Sequence, residues 1–285
     1  MTDTIAYIQQ SLKDLYPKNE ILSFTRHIME EIGGIPPHHL LFGKGKELSD
    51  TEKLEIKEIV EQLKKYKPLQ YILGKTDFYG RTFRVDPSVL IPRPETEELV
   101  EQILADLKSE PDRPLTILDI GTGSGCIAVT LAKEWKQADV IATDVSPEAL
   151  ETARENARRL HAPVTFVRTD ILSLEEAEAA IPFSFDLIVS NPPYVTEREK
   201  AAMEPNVLDY EPSLALFVSN DDPLLFYRAI ARFGKKKLKK GGRLYFEINA
   251  SYGPETVSLL EEEGYREVRL FRDLSDKNRM IKAKL

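Results

Sequence analysis

At 285 residues, with 39 Lys and Arg against 47 Asp and Glu and a formal net charge of -8 at pH 7, the chain has room for a large α/β domain and a smaller one. It is too acidic to wrap nucleic acid by general phosphate attraction, so no stable nucleic-acid binding is expected. No apolar run approaches the roughly 20 residues that a membrane crossing needs, and a single cysteine, Cys126, rules out an internal disulfide.

One Cys and four scattered His show no zinc-ligand spacing, and a site without metal is the expectation. The first residues mix Asp and Lys among their apolar positions and lack the unbroken apolar core of a secretory signal. A cytoplasmic protein acting as a monomer is expected.

From Met1 to Lys67 the apolar residues recur at helical spacing: Ile5, Ile8 and Leu12, then Ile56, Val60 and Leu63. Breaks at Tyr16-Pro17, Gly33-Gly34 and Pro36-Pro37 divide the segment into several helices. This predicts a small helical domain over 1–67 that packs against or reads a partner. Over 68–92 the texture changes to Tyr71, Phe78, Tyr79 and Phe83 around Gly80, and a β-hairpin linker is predicted. The remaining 93–285 are expected to form the larger α/β domain. It opens with a helix from Pro94, where a proline in the first turn and the acids Glu95, Glu97 and Glu98 suit a helix start, to about Lys108.

From Pro114 onward, strand-like and helix-like segments alternate, the pattern of a parallel sheet covered on both faces. Strands are predicted near 116–120, 140–143, 164–168, 185–189 and 243–248, with a closing β pair at 265–271 and 279–284. The helices between them include 125–135, 147–160 and 223–240. Lys235 to Lys240 ahead of Gly241-Gly242 read as a helix C-terminus whose cations complement the dipole.

The first chemical motif is Gly121-Thr122-Gly123-Ser124-Gly125, a glycine loop between the apolar strand ending at Asp119-Ile120 and the next helix. Glycines turn the backbone tightly and let a ligand approach without side-chain clash. Asp144 stands 19 positions after Gly125, at the end of the following strand, where a carboxylate can accept from both hydroxyls of a ribose. The next strand ends at Asp170-Ile171, an acid for the amino group of an adenine and an apolar wall for its ring. Cys126 has no nearby histidine and reads as a packed helix residue rather than a nucleophile.

The second motif is Asn191-Pro192-Pro193-Tyr194, directly after the apolar strand at 185–189. Ligands of open α/β sheets bind outside the carboxyl ends of the strands, so this turn should face the same crevice as the glycine loop. Two prolines stiffen it and remove backbone donors. The Asn191 side-chain oxygen and the Pro192 carbonyl can then grip the two hydrogens of an –NH₂ group, with Tyr194 offering a flat face to the planar group attached. Such a grip aims a delocalised, poorly nucleophilic nitrogen at an incoming methyl.

Glycine loop, Asp144, Asp170 and Asn191 to Tyr194 together resemble the class I methyltransferases of the amino-group type. The whole chain is similar to the bacterial peptide chain release factor glutamine methyltransferases, the HemK or PrmC family. Further support comes from Pro68 to Gly74, Ile91-Pro92-Arg93-Pro94-Glu95-Thr96-Glu97, Tyr210-Glu211-Pro212 and Leu214-Ala215-Leu216.

The resemblance implies a helical N-terminal domain and a Rossmann-like, seven-stranded catalytic domain. It also implies S-adenosylmethionine as donor, S-adenosylhomocysteine as product, and N5-methylation of the glutamine in the Gly-Gly-Gln loop of release factors. By the same resemblance Gly121, Thr122, Gly123, Ser124, Gly125, Asp144, Asp170, Ile171 and Asn191 bind the donor. Asn191, Pro192, Pro193 and Tyr194 hold the glutamine, with Asn191, Pro192 and Tyr194 as the catalytic set. One departure is visible: the family tends to read Glu-Ile-Gly where this chain has Glu247-Ile248-Asn249.

Two other activities use parts of the same pattern. A methyltransferase for an exocyclic amino group of adenine or guanine in DNA or RNA uses the same Asn-Pro-Pro-Tyr turn. A nicotinamide oxidoreductase shares the sheet and the acid after its second strand.

Overall fold

The computed structural model describes residues 1–41, 46–108 and 113–285. In chain order the helices are α1 (Thr2–Leu12), α2 (Lys18–Glu31), α3 (Pro37–Leu41), α4 (Asp50–Leu63), α5 (Leu69–Leu73), α6 (Pro94–Lys108) and α7 (Cys126–Glu134). They continue with α8 (Pro147–Arg159), α9 (Leu174–Ala180), α10 (Pro205–Leu208), α11 (Ser213–Leu216), α12 (Leu225–Lys237) and α13 (Gly253–Glu262). The strands are β1 (Lys75–Phe78), β2 (Arg81–Arg84), β3 (Leu115–Ile120), β4 (Ala138–Asp144), β5 (Val164–Arg168), β6 (Phe185–Ser190), β7 (Val195–Thr196), β8 (Phe217–Val218), β9 (Leu238–Glu247), β10 (Arg266–Arg272) and β11 (Asn278–Lys284). Among the described residues no helix is long and apolar enough to cross a membrane.

The chain divides into two compact units, Met1–Leu73 with Pro205–Tyr210, and Gly74–Glu204 with Glu211–Leu285. In the first, Ile8 and Leu12 of α1, Ile21, Ile28 and Met29 of α2 and Ile56, Val60 and Leu63 of α4 form one buried cluster. Helix α4 begins with a capping box. The Ser49 hydroxyl accepts from the Glu52 N–H, and the Glu52 carboxylate accepts from the Ser49 N–H, so two orphan donors of the helix start are satisfied. Tyr210, contributed by the later segment, donates its hydroxyl to the Lys65 carbonyl at 2.7 Å.

The second unit is built on a seven-stranded sheet in the order β10-β11-β9-β6-β3-β4-β5. The pairs from β9 through β5 are parallel, and β11 is antiparallel to both its neighbours. Strand β6 is buried along its whole length and β3 nearly so, as expected of parallel strands covered on both faces. Alternate residues divide between two cores: Leu115 and Ile117 of β3 join a cluster with α6 and α7. Leu118 and Ile120 join one with α9, α12 and α13.

Two predicted elements differ in detail. Over 68–92 the structure has the short helix α5 before a single hairpin of β1 and β2. The helix read to Lys240 ends at Lys237, and Lys239 and Lys240 already belong to β9. Leu238 is buried and pairs with Phe185 of β6, so the sheet claims the chain before the glycines are reached.

Candidate active site

The parallel strands β3, β4, β5 and β6 all point their carboxyl ends at one cavity of about 350 Å³. That volume lies within the usual range for small-molecule sites. It is lined by Gly121, Thr122, Gly123, Ser124, Asp144, Asp170, Ile171, Asn191, Pro192 and Pro193. The turn after β6 and the glycine loop after β3 therefore open into one space.

Below the loop sits Asp119, fully buried, whose Oδ2 accepts from the Thr122 hydroxyl at 2.7 Å and the Ala128 N–H at 3.2 Å. It ties the loop to the first turn of α7. Burial pushes its carboxyl up to about 7, against those two hydrogen bonds and with a smaller push from Asp144. Its other oxygen has no hydrogen-bond partner among the described residues.

Gly121 and Gly123 adopt φ of 72° and 54°, and a Cβ on either would meet nothing within 4 Å. They leave the cavity floor open. The Gly123 N–H donates to Asp144 Oδ2 at 2.9 Å and the Ser146 N–H to Oδ1 at 3.0 Å, which holds the Asp144 carboxylate at the rim of the glycine loop. Burial pushes this carboxyl above its ordinary value while those backbone donors pull it down. Each oxygen keeps a lone pair for a further donor. Asp170 accepts from the Leu172 N–H at 2.9 Å, and Ile171 beside it is buried.

Asn191 and Pro192 follow Ser190, whose hydroxyl donates to the Ile120 carbonyl at 2.6 Å and pins the end of β6 to β3. The Asn191 Nδ2 donates to Thr96 Oγ1 at 3.3 Å. Thr96, in the first turn of α6, in turn donates to Glu247 Oε2 at 2.6 Å. Tyr194 donates its hydroxyl to the other oxygen of the same carboxylate at 3.0 Å.

Two of the residues expected on the site stand apart from the cavity lining. Tyr194 packs against the core cluster of α12 and α13 with its hydroxyl held by buried Glu247. Gly125 lies against Ala153 of α8, where a Cβ would stand 3.1 Å from the alanine Cβ. Cys126 lines the cavity, but burial pushes its thiol up to about 12, which leaves no thiolate to act as a nucleophile.

The structure also adds residues of which no site role was expected. Ser88 to Leu90, Pro92 and Arg93 line the cavity with Pro212, Leu214 and Ala215. The two segments are clamped by the Arg93–Glu211 ion pair, with the Glu211 side chain almost wholly buried. Thr96 stood in the sequence within the segment Ile91 to Glu97 and Glu247 ahead of Ile248-Asn249, with no site role expected of either. Asn249, where the sequence departs from Glu-Ile-Gly, donates to the Tyr194 carbonyl at 3.0 Å and to the Glu199 carboxylate. It thus ties down the exit of the Asn191 to Tyr194 turn.

Two family models match, the PrmC N-terminal domain over residues 3–74 and the Methyltransferase small domain over residues 97–208. A release factor glutamine methyltransferase of Bacteroides thetaiotaomicron is 48% identical over 283 residues, covering 99% of both chains. The chain belongs to the release factor glutamine methyltransferase family. Members from Flavobacterium psychrophilum and Streptococcus pneumoniae are 46% and 38% identical, covering 96% and 98% of this chain and 95% and 90% of their own.

Among solved structures, a methyltransferase from Pyrococcus furiosus shares the fold of this methyltransferase at a TM-score of 0.52 and 18% identity, covering 83% of this chain and 98% of its own. So does a 16S rRNA N2 G1207 methyltransferase from T. Thermophilus in complex with AdoMet and guanosine, at 0.52 and 19%, covering 74% and 49%.

Proposed function

We propose that the chain transfers a methyl group from S-adenosylmethionine to the side-chain amide nitrogen of the glutamine in the Gly-Gly-Gln loop of peptide chain release factors. The observation that carries this reading is the single cavity shared by the glycine loop, Asp144 and the Asn191-Pro192-Pro193 turn. Family membership over the full length supports the same acceptor.

The residues present fit the donor. Gly121 and Gly123 leave room for it, Asp144 keeps acceptor capacity for ribose hydroxyls, and Asp170 with Ile171 suits an adenine. When bound, S-adenosylmethionine supplies a methyl on a sulfonium, a leaving group that needs no acid, and S-adenosylhomocysteine remains.

Asn191 Oδ1 and the Pro192 carbonyl accept the two hydrogens of the glutamine amide and aim its nitrogen. In-line positioning of this kind contributes up to roughly 7 to 11 kcal/mol to a bimolecular step. A strong base is unnecessary, because the methylated amide nitrogen gives up its proton readily.

The test is transfer of a labelled methyl from S-adenosylmethionine to a purified release factor. Label is expected on the wild-type factor and not on one whose loop glutamine is alanine. Label that persists on the alanine factor, or that goes to RNA or DNA in its place, defeats the reading.

A further inference from the structure

We infer that Glu247 is a positioning residue for methyl transfer, acting through the Thr96 hydroxyl to fix which end of the Asn191 amide faces the acceptor. The inference rests on the proposed role of Asn191 in holding the glutamine amide.

The argument is one of hydrogen supply. Glu247 is 1% exposed and its two oxygens accept from Thr96 Oγ1 at 2.6 Å and from the Tyr194 hydroxyl at 3.0 Å. A carboxylate has no hydrogen to give, and a threonine hydroxyl has one. That one is committed to Glu247. Toward any second neighbour Thr96 can only accept, and the neighbour is Asn191 Nδ2 at 3.3 Å.

An asparagine amide is nearly symmetric in shape, so packing alone does not distinguish its oxygen from its nitrogen. Here the direction of the hydrogens does. With Nδ2 turned to Thr96, Oδ1 is the end left to meet an –NH₂ group. The flipped amide would set Nδ2 hydrogens against amide hydrogens of the substrate, donor against donor. Tyr194 takes part from behind the turn, because its phenol hydrogen occupies the other carboxylate oxygen.

Glu247 is surrounded by groups from five elements or their adjoining loops. Thr96 and Glu95 face it from α6, Tyr194 from the turn after β6, Tyr227 from α12, Arg279 from β11, and Cys126 from α7. Burial pushes its carboxyl above the ordinary value, against the two hydroxyls and the Arg279 charge, which pull it down. Once protonated it can donate to Thr96, which frees the Thr96 hydrogen to point at Asn191 and removes the preference for one amide orientation. Turnover at saturating donor should therefore decline as pH falls through a range above that of an ordinary carboxylate.

The experiment is steady-state methylation of release factor at saturating S-adenosylmethionine across pH, with S-adenosylhomocysteine affinity measured by calorimetry, for wild type, Thr96→Val, Thr96→Ser and Glu247→Gln. Thr96→Val is expected to lower kcat by about tenfold or more with S-adenosylhomocysteine affinity changed by less than about twofold. Thr96→Ser keeps the hydroxyl and should restore kcat to within about threefold of wild type. Glu247→Gln, which keeps the shape, should lower kcat and flatten its acid limb, and it decides the matter if Thr96→Val does not fold.

An undiminished kcat in folded Thr96→Val, a Thr96→Ser as slow as Thr96→Val, or a wild-type acid limb in Glu247→Gln overturns the relay alone. Absence of wild-type transfer to the release factor glutamine overturns the functional reading and the relay with it.

Discussion

A Cβ on Gly125 would stand 3.1 Å from the Cβ of Ala153 and 3.3 Å from its Cα. The last glycine of the loop thus stands at the start of α7 and against Ala153 of α8. Its φ is 80°, so two separate penalties meet at one position. The left-handed backbone costs an L-residue about 1 to 2 kcal/mol, and forcing a methyl into a packed contact costs about 1 to 3 kcal/mol. Gly123 has the first penalty only, since nothing lies within 4 Å of its Cβ position. Denaturant unfolding without donor should therefore show Gly125→Ala losing more stability than Gly123→Ala. Equal losses would mean that the contact with Ala153 relaxes at no cost.

Asp119 gives a pH dependence of definite sign. Burial raises its carboxyl from 3.8 to about 7 in the folded protein, so between those values the folded state holds a proton that the unfolded state has lost. Its contribution to stability is therefore present at acid pH and lost as pH rises from about 4 to about 7. Asp119→Asn has no such titration. Its amide oxygen can still accept from Thr122 and Ala128, and its NH₂ replaces the unpartnered oxygen. Melting temperatures should show the variant gaining on wild type as pH rises through that window and holding its advantage above it. A constant difference from pH 4 to 8 would show that Asp119 titrates at its ordinary value.

Much of the architecture was legible because the central strands are predominantly apolar and alternate with helix-patterned segments. Strands near 185–189 and 116–120 stand out because most of their residues are apolar, as burial on both faces requires, with Asp186, Thr116 and Asp119 the polar exceptions. The cavity lining was legible where its residues sit consecutively, as in Gly121 to Ser124 and Asn191 to Pro193. The site was illegible where topology brings distant residues together. Thr96 and Glu247 are separated by 151 positions, and only the placement of α6 beside the end of β9 makes one the donor to the other. The bond from the Tyr194 hydroxyl to Glu247 was hidden for the same reason, because Glu247 lies on a strand that Tyr194 does not adjoin in sequence. Lys239 and Lys240 show the opposite limit: local charge pattern favoured a helix end, and buried Leu238 overruled it.

The Arg93–Glu211 pair should show the asymmetry of partly buried ion pairs. Glu211 is almost fully buried while Arg93 is one-third exposed, and Glu211 also accepts from the Ile91 N–H at 3.4 Å. Removing the arginine leaves a buried carboxylate without compensation, which costs about 3 to 5 kcal/mol in such settings. Glu211→Gln leaves no buried charge, and the amide oxygen can still accept a hydrogen bond. Thermal melts should therefore rank Arg93→Ala well below Glu211→Gln. The reverse order would mean that water reaches Glu211 and solvates it.

Asn191 and Asp144 line the same cavity, yet their proposed tasks differ, and kinetics can separate them. Asn191 is read as gripping the acceptor amide, an interaction whose value lies in orientation at the moment of transfer. Its replacement by alanine should lower kcat by about 100-fold, the order expected when a reacting group is displaced by about 1 Å, with S-adenosylhomocysteine affinity little changed. Asp144 is read as holding ribose hydroxyls through charge-assisted hydrogen bonds worth about 1.5 to 3 kcal/mol. Asp144→Ala should thus weaken S-adenosylhomocysteine binding by about 10- to 100-fold, since each 1.4 kcal/mol is a factor of ten. Because Asp144 also accepts the Gly123 and Ser146 N–H groups, some of that loss will come from loosening the glycine loop. Asp144→Asn keeps the shape and an acceptor while removing the charge, and should fall between wild type and alanine. Calorimetry and saturation kinetics on the three variants test the division directly: Asn191→Ala and Asp144→Ala changing donor affinity equally, with kcat unmoved in both, would show that neither residue does what its position suggests.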